Sequence, residues 1–255
     1  MISRMKPILF FLMVVGVLAG VFTANADESS ANGLLLVANK GDHTLGLIDT
    51  DAGKMIATVT EDGVTGHEVV ASPDGKRAFV PIYGNAGVGR AGTDGQLIRV
   101  VDLEKRAVVG TIDLGKSLRP HCAVIGPKNG LLYVTTELEN SITVIDPQTN
   151  GVSQWIEMPG IGYGSATTPD GRWLVIALFR AEQVAVIDLA TMKVAHTVDV
   201  PAAPQEVLVR PDGAEAYVSC DASRQIAVID TKEWKVKKLI DAGPGADGLA
   251  WAKGK

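Results

Sequence analysis

A repeat of about 42 residues is the feature that most restricts how this chain can fold. An Ile-Asp or Val-Asp pair recurs at a nearly even spacing, with its aspartates at Asp49, Asp102, Asp146, Asp188 and Asp230. A proline in a turn recurs with the same spacing, at Pro73, Pro127, Pro169 and Pro211. In both series only the first step is clearly longer than the others. Two markers that share one period indicate a chain built from copies of one supersecondary unit.

Each repeat has room for four short strands. In the clearest copy, alternating or continuous apolar residues predict strands at 206–210, 215–219, 225–230 and 234–240. Three of the proline turns read Pro-Asp-Gly, which favours hairpins because Gly accepts a positive φ and Asp bonds its own backbone. No ten-residue stretch after residue 30 has a helical period. Four antiparallel strands per repeat predict the blades of an all-β β-propeller.

The repeat predicts five blades: a composite first blade, then roughly 67–113, 121–157, 163–199 and 205–240. The first blade starts at Leu34, which matches the second strand of the other blades, so its own first strand is missing. Asp247–Trp251 aligns with Gln205–Val209, and we expect this C-terminal strand to complete the first blade. Closing the ring in this way would remove two exposed sheet edges. Two alternatives stay open: a ring that has lost two repeats relative to a seven-blade propeller, and an open arc completed by another chain.

Two short segments carry a family resemblance. Tyr133-Val134-Thr135-Thr136 and Tyr217-Val218-Ser219-Cys220 resemble the core of the YVTN-repeat β-propellers, and Val228-Ile229-Asp230 follows the second as in that family. The repeat is also similar to those of the quinoprotein amine dehydrogenase propeller subunit and of the haem domain of nitrite reductases. The resemblance covers about residues 33–252. It implies an exported bacterial or archaeal propeller, usually of seven blades, and leaves the role open.

Residues 1–26 have the pattern of a secretory signal. Arg4 and Lys6 precede an apolar run at 8–22, and Ala24-Asn25-Ala26 is a small-x-small cleavage site. The apolar run is shorter than the roughly 20 residues that span a bilayer. We therefore expect cleavage after Ala26, no stable membrane span, and a periplasmic or secreted protein. A short tail at 27–32 and a single propeller domain at 33–255 would remain.

Charge and cysteine content exclude several classes of partner and cofactor. The formal net charge is −5, from 24 basic and 29 acidic residues, which argues against a nucleic-acid partner. Only two cysteines occur, and no Cys-x-x-Cys-His, so covalent c-type haem and a four-cysteine zinc site are excluded. A periplasmic protein or a small molecule is the expected partner.

One position in each blade is predicted to converge on the mouth of the central channel. It lies six positions before each turn proline, and it is occupied by His67, His121, Tyr163, Gln205 and, in the last segment, Asp247. Two imidazoles and a carboxylate make His67, His121 and Asp247 candidate ligands for a divalent metal. The alternatives are contacts to a small ligand or peptide, or a solvated position that tolerates any polar residue.

An insertion at 84–95 lengthens the second repeat. It joins a second to a third strand, so it should overhang the same channel mouth. Tyr83, Arg90 and Asp94 would lie there, with Arg119 nearby. A harmless surface elaboration is the alternative. The insertion contains a G-x-G-x-x-G match at 87–92, but a strand follows it, whereas a dinucleotide site requires a helix.

These features favour a non-enzymatic binding or scaffold protein. No Gly-x-Ser-x-Gly or His-Glu-x-x-His motif is present. The alternative function is an enzyme or redox accessory, either lactonase-like or linked to a quinone or haem. In that case the resemblance implies that His67, His121 and Arg119 would carry the chemistry.

Overall fold

A computed structural model describes residues 33–62, 68–85 and 89–252, and this part of the chain contains β-strands and no helix. The strands, in chain order, are β1 (Leu34–Asn39), β2 (Thr44–Asp49), β3 (Lys54–Thr60), β4 (Val70–Ala71), β5 (Arg77–Gly84), β6 (Asp94–Asp102), β7 (Ala107–Asp113), β8 (Pro120–Ile125), β9 (Leu132–Thr136), β10 (Ser141–Asp146), β11 (Gly151–Glu157), β12 (Gly162–Thr167), β13 (Trp173–Leu178), β14 (Gln183–Asp188), β15 (Lys193–Asp199), β16 (Pro204–Val209), β17 (Glu215–Cys220), β18 (Gln225–Asp230) and β19 (Lys235–Asp241). None of the described segments is a helix that is long and apolar enough to cross a membrane.

The strands form five successive antiparallel sheets. The first sheet has three strands, β1–β3, and the other four have four strands each: β4–β7, β8–β11, β12–β15 and β16–β19. Within each sheet the strands lie in chain order, and neighbouring sheets contact one another in sequence from the first to the fifth. The prediction of an all-β propeller with five antiparallel blades is confirmed.

The Ile-Asp marker has a physical role in every repeat. In the second to fifth sheets the apolar residue, such as Ile187, is fully buried at the end of the third strand, whereas Ile48 of the first sheet is half-buried. The aspartate after it turns the chain into the fourth strand, as where Asp188 Oδ1 accepts the backbone N–H of Ala190 at 2.8 Å. The same bond recurs at Asp49, Asp146 and Asp230, and Asp102 Oδ1 accepts the backbone N–H of Lys105, three positions on. The period is therefore set by one core residue and one turn residue.

Apolar clusters fill the space between neighbouring sheets. One example joins the fourth and fifth sheets through Val184, Val186, Val218 and Ile229, each of which is fully buried. Comparable clusters lie at the other three junctions between consecutive sheets. Burial between sheets, rather than within one of them, therefore holds the blades together.

The predicted closure of the ring by the C-terminal strand is wrong. Residues 242–252 belong to no sheet, and no backbone hydrogen bond joins this described segment to β1. The segment contains few strand-forming residues, and its Gly245 has a φ of 71°. Trp251 instead lies 5.7 Å from the Tyr217 ring, between centroids, and is 47% exposed. Within the described residues, no contact between the fifth and first sheets is comparable to those between consecutive sheets.

The insertion in the second repeat is an extension of the β5–β6 hairpin. Its base is narrow, because a Cβ on Gly84 would lie 2.1 Å from the Thr93 carbonyl oxygen. The φ of Gly84 is 119°, which side-chain-bearing residues rarely adopt. The described loop residues are 85 and 89–93, and residues 86–88 lie outside the described part. The signal-like segment 1–26 and the tail 27–32 lie outside it as well.

Candidate functional site

Aromatic rings line the place where the inner strands begin. His121, in β8, lies 4.1 Å from Tyr163, in β12, measured between ring centroids. Tyr83 meets the edge of His121 at 5.7 Å, and Phe179 stacks on Tyr163 at 5.5 Å. We call these four residues the aromatic wall. The repeat therefore brought two of its predicted positions, in neighbouring blades, into direct contact.

A second ring of residues lies one position further along each inner strand. It comprises Glu68, Cys122, Gly164 and Glu206, each five positions before a turn proline. These residues were not among the predicted site positions, although the same repeat spacing reveals them. Gly164 is needed here because a Cβ would lie 2.4 Å from the Gln205 carbonyl oxygen. This close approach brings the inner strands β12 and β16 together.

Glu68 is the most strongly perturbed carboxyl group of this ring. Its Oε1 lies 3.8 Å from Nδ1 of His121. Burial raises the pKa of Glu68 to about 7, a hydrogen bond with Cys122 opposes that shift, and the charges of Glu206 and Asp247 add to it. The group therefore changes its charge near neutral pH.

Glu206 faces the same region from the fifth sheet. Burial raises the pKa of Glu206 above its usual value, a hydrogen bond from the backbone N–H of Val207 opposes this, and the charge of Asp247 raises it further. Its Oε1 accepts that N–H at 3.0 Å. The charge of Asp247 thus acts on both glutamates. We call Glu68, Glu206 and Asp247 the acidic cluster.

Neither Cys122 nor Tyr163 is activated for chemistry at neutral pH. Burial, followed by the charge of Glu68, raises the pKa of the Cys122 thiol well above its usual value. The Cys122 Sγ lies 3.4 Å from the hydroxyl of Ser165. Burial and the charge of Asp247 raise the pKa of Tyr163 to about 12. A thiol and a phenol that keep their protons suit binding better than nucleophilic catalysis.

Arg119 is committed to holding the insertion. Its Nε donates to Asp94 Oδ1 at 2.6 Å, and its Nη2 donates to the Arg90 carbonyl oxygen at 2.7 Å. Its Nη1 lies 3.4 Å from Glu137 Oε2, and Glu137 Oε1 accepts the backbone N–H of Gly89 at 2.6 Å. The side chains of Arg119 and Glu137 are both buried. The predicted group at the insertion therefore does come together, with Arg119 as its clamp.

The other predicted positions differ in their surroundings. Tyr83 is fully buried in the aromatic wall, under the Arg119 guanidinium at 5.7 Å. The Arg90 side chain is exposed. Gln205 is half-buried, and its Nε2 lies 3.5 Å from Asp221 Oδ2. Of these three residues, only Arg90 presents its side chain freely to solvent.

The structure describes two of the three proposed metal ligands. His67 lies outside the described residues, His121 lies 3.8 Å from Glu68, and Asp247 acts on Glu68 only through its charge. Among the described residues, no three His, Cys, Asp or Glu side chains are arranged to hold a metal ion. The set of His67, His121 and Asp247 therefore stays a prediction.

Comparisons with known proteins identify the fold. No protein-family model matches the chain, and no curated protein matches it in sequence. It is similar in structure to a hydrazine synthase from Kuenenia stuttgartiensis, with a TM-score of 0.60 and 22% identity over 68% of this chain and 48% of that one. It is also similar to the dihydro-heme d1 dehydrogenase NirN, solved in complex with DHE, with a TM-score of 0.64 and 19% identity over 84% of this chain and 46% of that one. The chain spans about half the length of each. Both are β-propeller proteins, and the fold of this chain is that of a β-propeller.

Proposed function

We propose that this chain is an exported, non-enzymatic propeller of the YVTN type that binds a cationic group at its channel mouth. The ligand would be a small amine or a basic side chain of a periplasmic protein. One observation carries this proposal: the charges of all three carboxyl groups of the acidic cluster act on Tyr163 of the aromatic wall, and Glu68 lies 3.8 Å from His121 of the same wall. Carboxylates attract a cation, and aromatic faces add a cation–π contribution when the cation is partly desolvated.

The acidic cluster has a reason to accept a cation. The pKa values of Glu68 and Glu206 are raised partly because like charges face one another there. A bound cation would offset that repulsion and favour the ionised carboxylates. Arg119, a buried cation beside the aromatic wall, is already paired with Asp94 and Glu137.

The test uses putrescine, a diamine, and 1,4-butanediol as its uncharged counterpart, by isothermal titration calorimetry. Putrescine should bind and butanediol should not. Glu206→Gln should weaken putrescine binding about 10- to 100-fold, because a hydrogen bond to a charged group contributes about 1.5–3 kcal/mol. Glu157→Gln, at an exposed position of β11, is the matched control and should bind like wild type. Equal binding by both variants, or no binding of putrescine, would refute the proposal.

Binding should also depend on pH. Glu68 becomes neutral as the pH falls through about 7, while the amine keeps its charge. Putrescine affinity should therefore fall between pH 8 and pH 6, pH values chosen to bracket the raised pKa of Glu68. A flat profile would exclude Glu68 from the binding site.

A second candidate is an enzyme or redox accessory. The contact between Glu68 and His121 favours it, since a carboxyl group with a pKa of about 7 can act as a general base. A panel of lactones and an absorbance titration with haem would test it. Turnover that His121→Ala abolishes, or a haem spectrum that changes on mixing, would favour this candidate over the binding protein.

Export is a separate part of the proposal. N-terminal sequencing of the protein recovered from the periplasm or medium should give a start at Asp27. A start at Met1 on protein recovered with membranes would mean that the N-terminal segment is retained.

A further inference from the structure

Each sheet from the second to the fifth buries one row of side chains against the sheet before it. A row takes one residue from each of the second, third and fourth strands, paired across the sheet. In every row the first two residues are buried, and the third is partly buried against the same cluster. The rows are Ala78–Val101–Val108, Leu132–Ile145–Val152, Leu174–Ile187–Val194 and Ala216–Ile229–Val236.

The first sheet carries the same row, and no sheet of the described residues covers it. Leu35 pairs with Ile48, and Ile48 pairs with Met55, in the register of the other four rows. Leu35 is 52% exposed and Met55 is 47% exposed. We call these three residues the first-sheet row.

The fifth sheet carries the complementary row, on the face that the other sheets pack against the sheet that follows them. Ser219, Ile226 and Ile240 pair across it, one repeat after Ala177, Val184 and Val198 of the fourth sheet. Val198 is covered by the fifth sheet and is only 5% exposed, whereas Ile240 is 38% exposed. We call Ser219, Ile226 and Ile240 the fifth-sheet row.

We propose that two copies of this chain assemble head to tail, with the first-sheet row of each packed on the fifth-sheet row of the other. A second copy of this chain is the expected partner, because each of the four junctions between consecutive sheets already packs these two kinds of row on each other. A two-fold axis allows both contacts to form at once, which covers both rows in both copies. The residues of the two rows that a single chain leaves exposed, Leu35, Met55 and Ile240, are thereby buried, whereas Ser219 is already buried within the chain.

The C-terminal segment supports the same arrangement. Trp251 lies one repeat after Val209, which packs from the inner strand of the fifth sheet against the fourth. Tyr217, which Trp251 contacts, lies one repeat after Val175, a fourth-sheet residue of the apolar cluster on which Val209 packs. Residues 247–251 thus lie where the inner strand of a following blade would begin. The β1 edge of a second copy, which has a partner on one side only, is the strand expected to pair with them.

The test measures the mass of the purified full chain by light scattering after size exclusion. Wild type should elute with twice the mass of one chain at tens of micromolar and dissociate on dilution. Leu35→Asp and Ile240→Asp should each shift the protein to monomer, because each places a carboxylate in the buried contact. Val109→Asp is the control, since Val109 is 50% exposed on the outer strand β7 and belongs to neither row. Circular dichroism should show that all three variants are folded.

Mixing the two interface variants distinguishes a head-to-tail contact from a symmetric one. A pair made of Leu35→Asp and Ile240→Asp chains retains one wild-type contact, so dimers should reappear in the mixture, with weaker affinity. A monomeric wild type would overturn the proposal. A dimer that only one of the two variants disrupts would also overturn it, because the contact would then join two like faces. An open polymer of the wild type would overturn the closed pair.

Discussion

Gly164 shows how a single residue sets the width of the channel mouth. Gly164→Val would place a Cβ 2.4 Å from the Gln205 carbonyl oxygen and 2.7 Å from the Glu206 Cα, so the inner strands must separate. We expect the free energy of unfolding to fall by about 1–3 kcal/mol, as overpacking usually costs. Urea denaturation measures it. Gly41→Ala is the control, because nothing lies within 4 Å of the added Cβ. An equal loss in both variants would contradict the close approach.

Glu68 should make stability depend on pH in an unusual direction. A carboxyl group whose pKa is raised in the fold, from 4.5 to about 7, keeps its proton more tightly when folded. The stability of the wild type should therefore fall as the pH rises from 4.5 to 7 and level off above that range. Glu68→Gln should flatten this slope when thermal unfolding is followed across the same range.

The matched control for this pH dependence is Glu233→Gln, at an exposed turn position. That variant should keep the wild-type slope. If Glu68→Gln keeps it as well, the half-buried carboxyl group of Glu68 does not have the raised pKa.

At the scale of elements, the insertion is a clamped hairpin. Arg119→Met should release it, since it leaves Glu137 buried without its cation. Removing one partner of a buried pair costs about 3–5 kcal/mol. Hydrogen exchange of residues 89–93 should accelerate in this variant. Lys105→Met is the control, because Lys105 pairs with Asp102 at the surface and such pairs contribute less than about 1 kcal/mol. Unchanged exchange in Arg119→Met would show that the loop is held by other contacts.

At the scale of the whole molecule, the sheets form a chain of neighbours. Among the described strands, the main contacts of each sheet are with the sheets before and after it, so its stability depends on how many of its faces are covered. The first sheet has three strands and one covered face, whereas the fourth has four strands and two covered faces. Amide hydrogen exchange at low protein concentration should therefore be faster in β2 than in β13.

Varying the protein concentration supplies a second test of the difference in exchange between β2 and β13. If two copies assemble head to tail, protection in β2 should rise with protein concentration while protection in β13 stays the same. Equal protection of β2 and β13 at low concentration would show that the first sheet is covered within a single chain.

The sequence determined the fold because the repeat places a buried residue and a turn residue at fixed steps. Ile187 and Asp188 show this directly, since one enters the core between sheets and the other caps a turn. The spacing of the repeat also predicted that His121 and Tyr163 would lie close together. These are local and periodic properties, so they can be read from one chain without knowing which distant surfaces meet.

Only the tertiary structure decided how the last segment and the site are arranged. The alignment of Asp247–Trp251 with an inner strand was correct in position, but strand pairing depends on whether a distant edge comes within reach, and β1 does not. The two glutamates of the acidic cluster went unnoticed because the perturbation of Glu68 comes from burial and from charges on other parts of the chain. The sequence suggested Arg119 as a ligand contact, but its side chain is already paired with Asp94 and Glu137. Sequence periodicity fixes which residues are equivalent, whereas burial and charge depend on what surrounds them.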